Sequence, residues 1–340
     1  MNEAPISRRS FGLSAATALV ASGDVGFSDL AAAAPAPEDS AVILSQGLIE
    51  APPTYFDMLS PAAGTTRPPV VMICGGAHTG ACYLATADGR PGWAHVFARA
   101  GYTVVLPDWP GVGRSGYIAL DKITGDMVVD GLGQVIASLG RPAIVITHSM
   151  SGAYGWKLIE KYGTHIDRLI GVAPGGPGNI QAVSEIVSET GDTVVVKSSV
   201  MLTINLKEPV ASGRDFVEVK LIGKNSTQFP REFSGRYASS LVPIPPHLLY
   251  ERRNIRGSQL RIGDFANFRD RRILVLTGTA DADHPRALDE AIVTFLNANG
   301  AKAEYLYLGD RGILGNGHMM MMEKNSDAIA ALLLSWLAQG

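Results

Sequence analysis

The segment at residues 145–152 has the clearest potential for chemistry in this chain of 340 residues. It reads Val-Ile-Thr-His-Ser-Met-Ser-Gly, with an apolar β-type run before it and a helical stretch after it. A serine between a strand and a helix, with small residues two positions away on each side, is typical of a nucleophile elbow. Glycine usually occupies those flanking positions, where this chain has Thr147 and Ser151. The segment predicts Ser149 as a nucleophile. Serine-containing turns also arise by chance, so other residues of the chain must support this prediction.

Composition excludes several classes of function. Apolar residues make up 46% of the chain, which supplies enough side chains for a large buried core. The formal net charge is −3, so there is no basic surface for nucleic acid and no polybasic patch for a membrane. We therefore expect no nucleic-acid partner and no stable membrane anchor, and the composition leaves the oligomeric state open.

The first 36 residues differ in kind from the rest. Arg8-Arg9 and Phe11 precede a modest apolar run, and the small residues of 31–36 then offer an Ala-x-Ala cleavage site. This order is typical of a twin-arginine export signal, and the apolar run is too short to span a membrane. The competing interpretation is a disordered tail with an accidental arginine pair. We predict a signal at 1–36, and hence a periplasmic or secreted protein.

Two cysteines, Cys74 and Cys82, are too few for a disulfide framework, and their spacing fits no zinc site. An oxidising compartment would permit a bridge between them. Two buried free thiols, which behave as small apolar side chains, are an equal alternative.

Elements that alternate between strand and helix must position the serine. Apolar and amphipathic patterns predict strands at 41–49, 53–59, 69–73, 102–107, 143–147, 169–172, 272–276 and 303–308. They predict helices at 93–100, 121–139, 153–162, 286–297 and 326–338. This alternation favours an α/β fold whose central sheet is mostly parallel and covered by helices on both faces.

The alternation stops between about Gly175 and Asp270, where the sequence is polar and in places rich in proline. We interpret 175–270 as a lid inserted into the fold, so that the core would comprise 37–174 and 271–340. The alternative is a separate small domain with its own core.

The chain has a second motif besides the elbow, Asp108-x-x-Gly111-x-Gly113-x-Ser115. Together with an aspartate and a histidine late in the chain, the two motifs form a known pattern. The chain resembles the α/β hydrolases from residue 73 to its C-terminus. Within that fold it is most similar to a group of bacterial secreted carboxylesterases. Two segments carry the closer likeness: Gly-Ala-Cys-Tyr at 80–83 with Asp-Gly-Arg-Pro-Gly-Trp at 88–93, and Gly-Asn-Gly-His-Met-Met-Met at 315–321.

The resemblance implies a base and an acid for Ser149, because the chain order in this fold is nucleophile, acid, base. It implies that His318, in a glycine-flanked loop after the last strand, is the base. The family's glycine-to-aspartate spacing selects Asp281 as the acid. Asp283 is the second candidate, interpreted as the cap of the following helix. His284, in the same loop, is interpreted as a supporting or surface residue.

The resemblance also implies an oxyanion hole formed by the backbone N–H groups of Met150 and Gly76, with Ala77 next in position. Cys74 stands where the family often has histidine, which leaves open how this loop is supported. A glutamate in some of the similar esterases follows the strand after the elbow helix. Here that position is Ala173, so the acid must be Asp281 or the subgroup is only distantly related.

These residues predict a serine hydrolase of small carboxylic esters or lactones that works through an acyl-enzyme and needs no cofactor or metal. Three alternatives stay open: an amidase or thioesterase, a lyase or perhydrolase on the same triad, and a non-catalytic binding protein. Asp281, Asp283 and His284 lie close together in sequence, but the cluster lacks further nearby ligands for a metal.

Overall fold

A mixed eight-stranded sheet organises the part of the chain that the structure describes. The computed structural model describes residues 41–197 and 201–339. The predicted export signal at 1–36 lies outside the described residues and stays a prediction.

The strands of this sheet are β1 (Val42–Glu50), β2 (Pro53–Pro61), β3 (Val70–Ile73), β4 (Val104–Pro107), β5 (Ala143–His148), β6 (Ile166–Val172), β10 (Arg272–Thr277) and β11 (Lys302–Tyr307). Their spatial order is β1-β2-β4-β3-β5-β6-β10-β11. The β1–β2 and β2–β4 pairs are antiparallel, and all later neighbours are parallel. The prediction of an α/β-hydrolase fold with a mostly parallel sheet is confirmed.

The central strands are continuous apolar runs because helices cover both of their faces. Every residue of β3, β4 and β5 is buried. The helices are α1 (Trp93–Arg99), α2 (Gly125–Ser138), α3 (Ser151–Tyr162), α4 (Ser234–Ala238), α5 (Pro246–Arg252), α6 (Arg286–Ala298) and α7 (Ser326–Ala338).

Helix α2 begins later than the sequence pattern predicts, at Gly125 rather than at Asp121. The side chain of Thr124 accepts a hydrogen bond from the Met127 N–H and so caps the helix. The preceding residues Leu120–Lys122 form a separate 3-10 turn. The helical pattern at 121–139 therefore covers a turn and a helix.

The segment 175–270 contains its own small elements. Strands β7 (Ile186–Thr190), β8 (Thr193–Val196) and β9 (Leu202–Asn205) form a three-stranded antiparallel sheet. A π-helix at Phe216–Gly223 and the short helices α4 and α5 follow it. Within 41–197 and 201–339, no helix combines the length and the apolar character needed to cross a membrane.

Candidate active site

Three loops at one edge of the sheet bring together a hydroxyl, an imidazole and a carboxylate. Ser149 follows β5, Asp281 follows β10, and His318 lies between β11 and α7. The His318 Nε2 atom lies 2.7 Å from Ser149 Oγ, and the His318 Nδ1 atom lies 2.7 Å from Asp281 Oδ2. These are ordinary hydrogen-bond distances, so the three side chains form one continuous chain of hydrogen bonds. The three residues selected from the sequence thus meet, although they are far apart along the chain.

The backbone at Ser149 has the strained geometry of a sharp strand-to-helix turn. Its φ is +53°, in the left-handed region that residues with a side chain rarely adopt. Backbone hydrogen bonds hold it there: its N–H donates to Val172 O at 3.0 Å, and its carbonyl accepts from Gly152 N at 2.9 Å and Gly175 N at 2.6 Å. This turn presents the side chain at the head of α3.

The two residues that replace the usual glycines are accommodated by their neighbours. A Cβ on Gly155, one turn into α3, would lie 2.8 Å from Thr147 Cγ2, so that glycine leaves the space which the Thr147 side chain fills. The Ser151 hydroxyl donates a hydrogen bond to the carbonyl of Cys74, in the loop after β3. Thr147 and Ser151 are therefore compatible with the tight turn, and Ser151 ties it to the neighbouring loop.

The acid and the base are both buried, since their side chains are only 1% and 2% exposed. Burial alone would raise the pKa of the Asp281 carboxyl. The charge and hydrogen bond of His318, and the charge of His284, instead hold the pKa of Asp281 well below its ordinary value. The Asp283 N–H also donates to Asp281 Oδ1 at 3.1 Å. Asp281 is thus an ionised acceptor that fixes the tautomer of His318 with its proton on Nδ1.

Asp283, the second candidate acid, has a different partner. Its Oδ2 atom pairs with Lys220 Nζ of the π-helix at 2.5 Å. Helix α6 has Pro285 as its cap position and no side-chain capping bond, so the predicted capping role of Asp283 is wrong. The Asp283 carboxylate is thus paired with the inserted segment and does not cap the end of α6.

His284 is buried against the base. The interpretation as a supporting residue therefore agrees with the structure, and the interpretation as a surface residue does not. Its ring stacks on the His318 ring with centroids 5.4 Å apart, and its Nδ1 lies 3.0 Å from Asp289 Oδ1. Burial disfavours the protonated ring, yet the Asp289 hydrogen bond and the Asp281 and Asp289 charges raise the pKa of His284 overall. Asp289 was not anticipated, because its place depends on how α6 packs.

His148 lies closer to the base than its position beside Ser149 suggests. On a tight turn, the side chain next to the nucleophile is expected to point away from it. Its ring lies 4.7 Å from the His318 ring between centroids, and its Nε2 donates to the His318 carbonyl at 3.0 Å. Burial holds the pKa of His148 well below its ordinary value, so the ring is neutral. His148 thereby supports the backbone of the loop that carries the base.

Gly76 and Met150, the predicted donors to an oxyanion, line the same cavity as Ser149 and His318. In the turns and loops that the structure describes, neither of their N–H groups donates to a backbone carbonyl. A Cβ on Gly76 would lie 2.8 Å from Met150 Sδ, which shows how closely the two loops approach. Their position beside Ser149 is compatible with the predicted role.

His78 supports the loop that carries Gly76, a role that the sequence reasoning missed. Its Nδ1 lies 2.8 Å from Gly76 O and its Nε2 lies 2.9 Å from the Tyr237 hydroxyl. Burial lowers the pKa of His78 to about 4, so the ring is neutral at pH 7. It therefore donates from Nδ1 to the carbonyl and accepts from Tyr237. The Cys74 Sγ, 3.3 Å from His78 O, adds a second support in place of the family's histidine.

We predict that replacing His78 with alanine lowers kcat about 10- to 100-fold with little change in KM, because a displaced Gly76 peptide would weaken binding of the charged intermediate. Steady-state kinetics on a simple aryl ester would measure the split. The matched control is His165→Ala, on a partly exposed histidine after α3. Equal loss in kcat and affinity, or no loss, would contradict the role.

A buried carboxylate stabilises the loop that carries His318. Glu323 Oε1 accepts from Gly317 N at 2.7 Å and from Ser226 Oγ at 2.9 Å, and its Oε2 accepts from Asn316 Nδ2 at 2.5 Å. Glu323 thus connects the histidine loop to Ser226 of the inserted segment. The sequence showed only a glutamate near a run of methionines.

Glu323 predicts a pH dependence of stability. Burial, opposed by its three hydrogen bonds, raises the pKa of Glu323 from 4.5 to about 7. The stability from this shift is complete below pH 4.5 and is lost as the pH rises through about 7, because the unfolded glutamate ionises first. Denaturant unfolding between pH 5 and 8 would measure the free energy of unfolding of the wild type and of Glu323→Gln. We expect this free energy to fall more steeply with rising pH in the wild type, since glutamine does not ionise. An identical pH slope in both proteins would contradict the assignment.

Both cysteines are buried free thiols. The alternative of a Cys74–Cys82 bridge therefore does not apply to this structure. Asp281, His284 and His318 are residue types that can bind metals, and their potential ligand atoms lie within 4.8 Å of one another. This cluster is part of the active site already described. Each of these side chains already has a hydrogen-bond partner, as described above.

The cavity above Ser149 is formed jointly by the core loops and by the inserted segment. From the core come Gly76, Ser149, Met150, Asp283, His284 and His318; from the segment come Phe216, Lys220, Leu221, Ile244, Leu249, Arg252 and Arg253. Residues 175–270 thus supply a whole wall of this cavity. The Val242 N–H also donates to Ala77 O at 3.0 Å, which ties the segment to the loop after β3.

Comparison with known proteins shows the family to which this chain belongs. The family model described as "Alpha/beta hydrolase family" matches residues 70–332. A probable secreted lipase of Fungal sp. (strain ATCC 74256) is 26% identical over 344 aligned positions, which cover 83% of this chain and 85% of the lipase.

Solved structures share the fold at low identity. A novel bacterial esterase superposes with a TM-score of 0.52 at 17% identity, covering 88% of this chain and 93% of the esterase. The thioesterase domain of the curacin biosynthetic pathway gives 0.54 at 17% identity, covering 86% and 99%. Since one fold serves both of these proteins, the fold alone does not select a substrate.

Proposed function

We propose that this protein, which belongs to the alpha/beta hydrolase family, is a serine hydrolase of carboxylic esters. The reason is its hydrogen-bonded serine, histidine and aspartate. The observation that carries the proposal is the chain of hydrogen bonds from Ser149 through His318 to Asp281. A serine hydroxyl is a weak nucleophile, and an adjacent imidazole oriented by a carboxylate is what activates it.

In the proposed first half-reaction, Ser149 Oγ attacks the ester carbonyl while His318 Nε2 takes the hydroxyl proton. Asp281 keeps the ring oriented and stabilises the imidazolium. The negative charge that develops on the carbonyl oxygen is bound by the N–H groups of Gly76 and Met150. His318 then gives its proton to the leaving alcohol as the carbon–oxygen bond breaks, which leaves an acyl group on Ser149.

In the second half-reaction, water takes the place of the alcohol. His318 removes a proton from the water as its oxygen attacks the acyl carbon, and the same two N–H groups bind the new oxyanion. His318 returns the proton to Ser149 Oγ as that bond breaks, releasing the carboxylic acid. In all these steps, the groups that act on the substrate and on the water are side chains and backbone N–H groups of this chain.

We also propose that 175–270 acts as a lid that shapes the substrate site. Its residues line one wall of the cavity, and its Lys220 pairs with Asp283 in the loop of the acid. The export signal proposed for 1–36, together with similarity to a probable secreted lipase, favours a secreted or periplasmic enzyme.

A panel of p-nitrophenyl esters of graded chain length, with several lactones, amides and thioesters, would test this function. We expect release of alcohol and acid in equal amounts from esters, and labelling of the protein by a fluorophosphonate probe. Product analysis separates hydrolysis from lyase or perhydrolase chemistry on the same triad. Absence of both turnover and labelling would favour a non-catalytic binding protein.

A further inference from the structure

The wall of the cavity contributed by the inserted segment is rich in positive charge. Lys220, Arg252 and Arg253 line it, and Asp283 is the one carboxylate residue among the lining residues that the structure describes. Asp283 already pairs with Lys220 Nζ at 2.5 Å. Arg252, the last residue of α5, therefore adds a positive charge to the cavity beside the nucleophile.

Among the residues that the structure describes, none pairs with the charge of Arg252. Across 41–197 and 201–339 its guanidinium takes part in no hydrogen bond or ion pair, although Asp283 and Asp289 lie near enough to act on it through charge. Both of those carboxylates are engaged elsewhere: Asp283 pairs with Lys220, and Asp289 bonds to His284 and Thr277. A partly buried guanidinium with five donors and no acceptor is costly to leave unpaired.

The backbone makes room for this arginine next to the serine. A Cβ on Gly175 would lie 3.4 Å from Arg252 Nε and 3.3 Å from the carbonyl oxygen of Ser149. The guanidinium thus packs against the same glycine whose N–H bonds to that carbonyl at 2.6 Å. A substrate acylated at Ser149 could therefore reach Arg252 with another part of its structure.

We propose that the preferred substrates are esters that carry a carboxylate, and that Arg252 binds this carboxylate. The guanidinium fork matches the two oxygens of a carboxylate, and such charge-assisted bonds are among the strongest in proteins. The inference depends on the proposed esterase function, which the experiment must test separately.

The test compares matched substrates. One pair carries the charge on the acyl side: mono-4-nitrophenyl adipate against 4-nitrophenyl hexanoate. The other carries it on the alcohol side: 4-carboxyphenyl butyrate against phenyl butyrate. We expect the wild type to favour the charged member of at least one pair by about tenfold or more in kcat/KM, as expected for a hydrogen bond between charged groups.

Arg252→Gln should remove most of that preference, while Arg252→Lys, which keeps the charge but not the fork, should retain part of it. The matched control is Arg269→Gln, an exposed arginine that does not line the cavity, which should keep the wild-type ratio. Should Arg252→Gln fail to fold, the wild-type ratios still test the preference for charged esters, and Arg252→Lys tests whether Arg252 is responsible for it.

The outcomes separate the two claims. Cleavage of the neutral esters with no preference for either charged partner would overturn the inference and leave the esterase function intact. Preference that survives Arg252→Gln in a folded variant would overturn the role of Arg252. Failure to cleave any of the four esters would overturn the proposed function and this inference with it.

Discussion

Replacing Ser149 with alanine is expected to lower kcat by on the order of 10⁵- to 10⁶-fold, because no other group would form the acyl-enzyme. Stability should change little. The lost hydroxyl makes one hydrogen bond, to His318, so we expect the melting temperature to shift by less than about 4 °C. Ester hydrolysis and thermal unfolding of the same preparation would measure both quantities.

The control for this variant is Ser188→Ala, at an exposed position in β7 of the inserted segment, which should keep full activity. A fluorophosphonate probe should label the wild type and Ser188→Ala but not Ser149→Ala. Substantial turnover or labelling in Ser149→Ala would rule out this serine as the nucleophile and require a different mechanism.

Replacing Asp281 with asparagine is expected to lower kcat about 10⁴-fold, because the amide can donate to His318 Nδ1 and so favour the wrong tautomer. The present Oδ2–Nδ1 distance of 2.7 Å leaves no room for an intervening water. Kinetics should show the loss in kcat rather than in KM, since the ring would be misoriented while the cavity keeps its shape.

Asp283→Asn is the matched comparison, because both aspartates occupy the same loop and each could be the acid by sequence alone. Asp283 pairs with Lys220 rather than with His318, so we expect its amide to change kcat by less than about tenfold, the usual scale for a partly exposed ion pair. A larger loss in Asp283→Asn than in Asp281→Asn would transfer the role of the acid.

The central sheet could be predicted because its signal is local. Strands such as 69–73 and 143–147 are short apolar runs bounded by loops, and the structure has strands at Val70–Ile73 and Ala143–His148. Burial on both faces requires apolar side chains at every position, and this requirement is visible in the sequence itself. Local capping was less visible, as the start of α2 at Gly125 shows.

Sequence order and motif spacing also determined which serine, histidine and aspartate to bring together, because an elbow and its flanking loops impose residue sizes that can be read locally. Tertiary structure alone decided the supporting contacts: His78 on Gly76, His284 stacked on His318, and Glu323 beneath the histidine loop. These pairs join residues whose neighbourhood depends on how loops and helices pack. The same holds for Arg252, whose place beside Gly175 is set by the fold of the inserted segment.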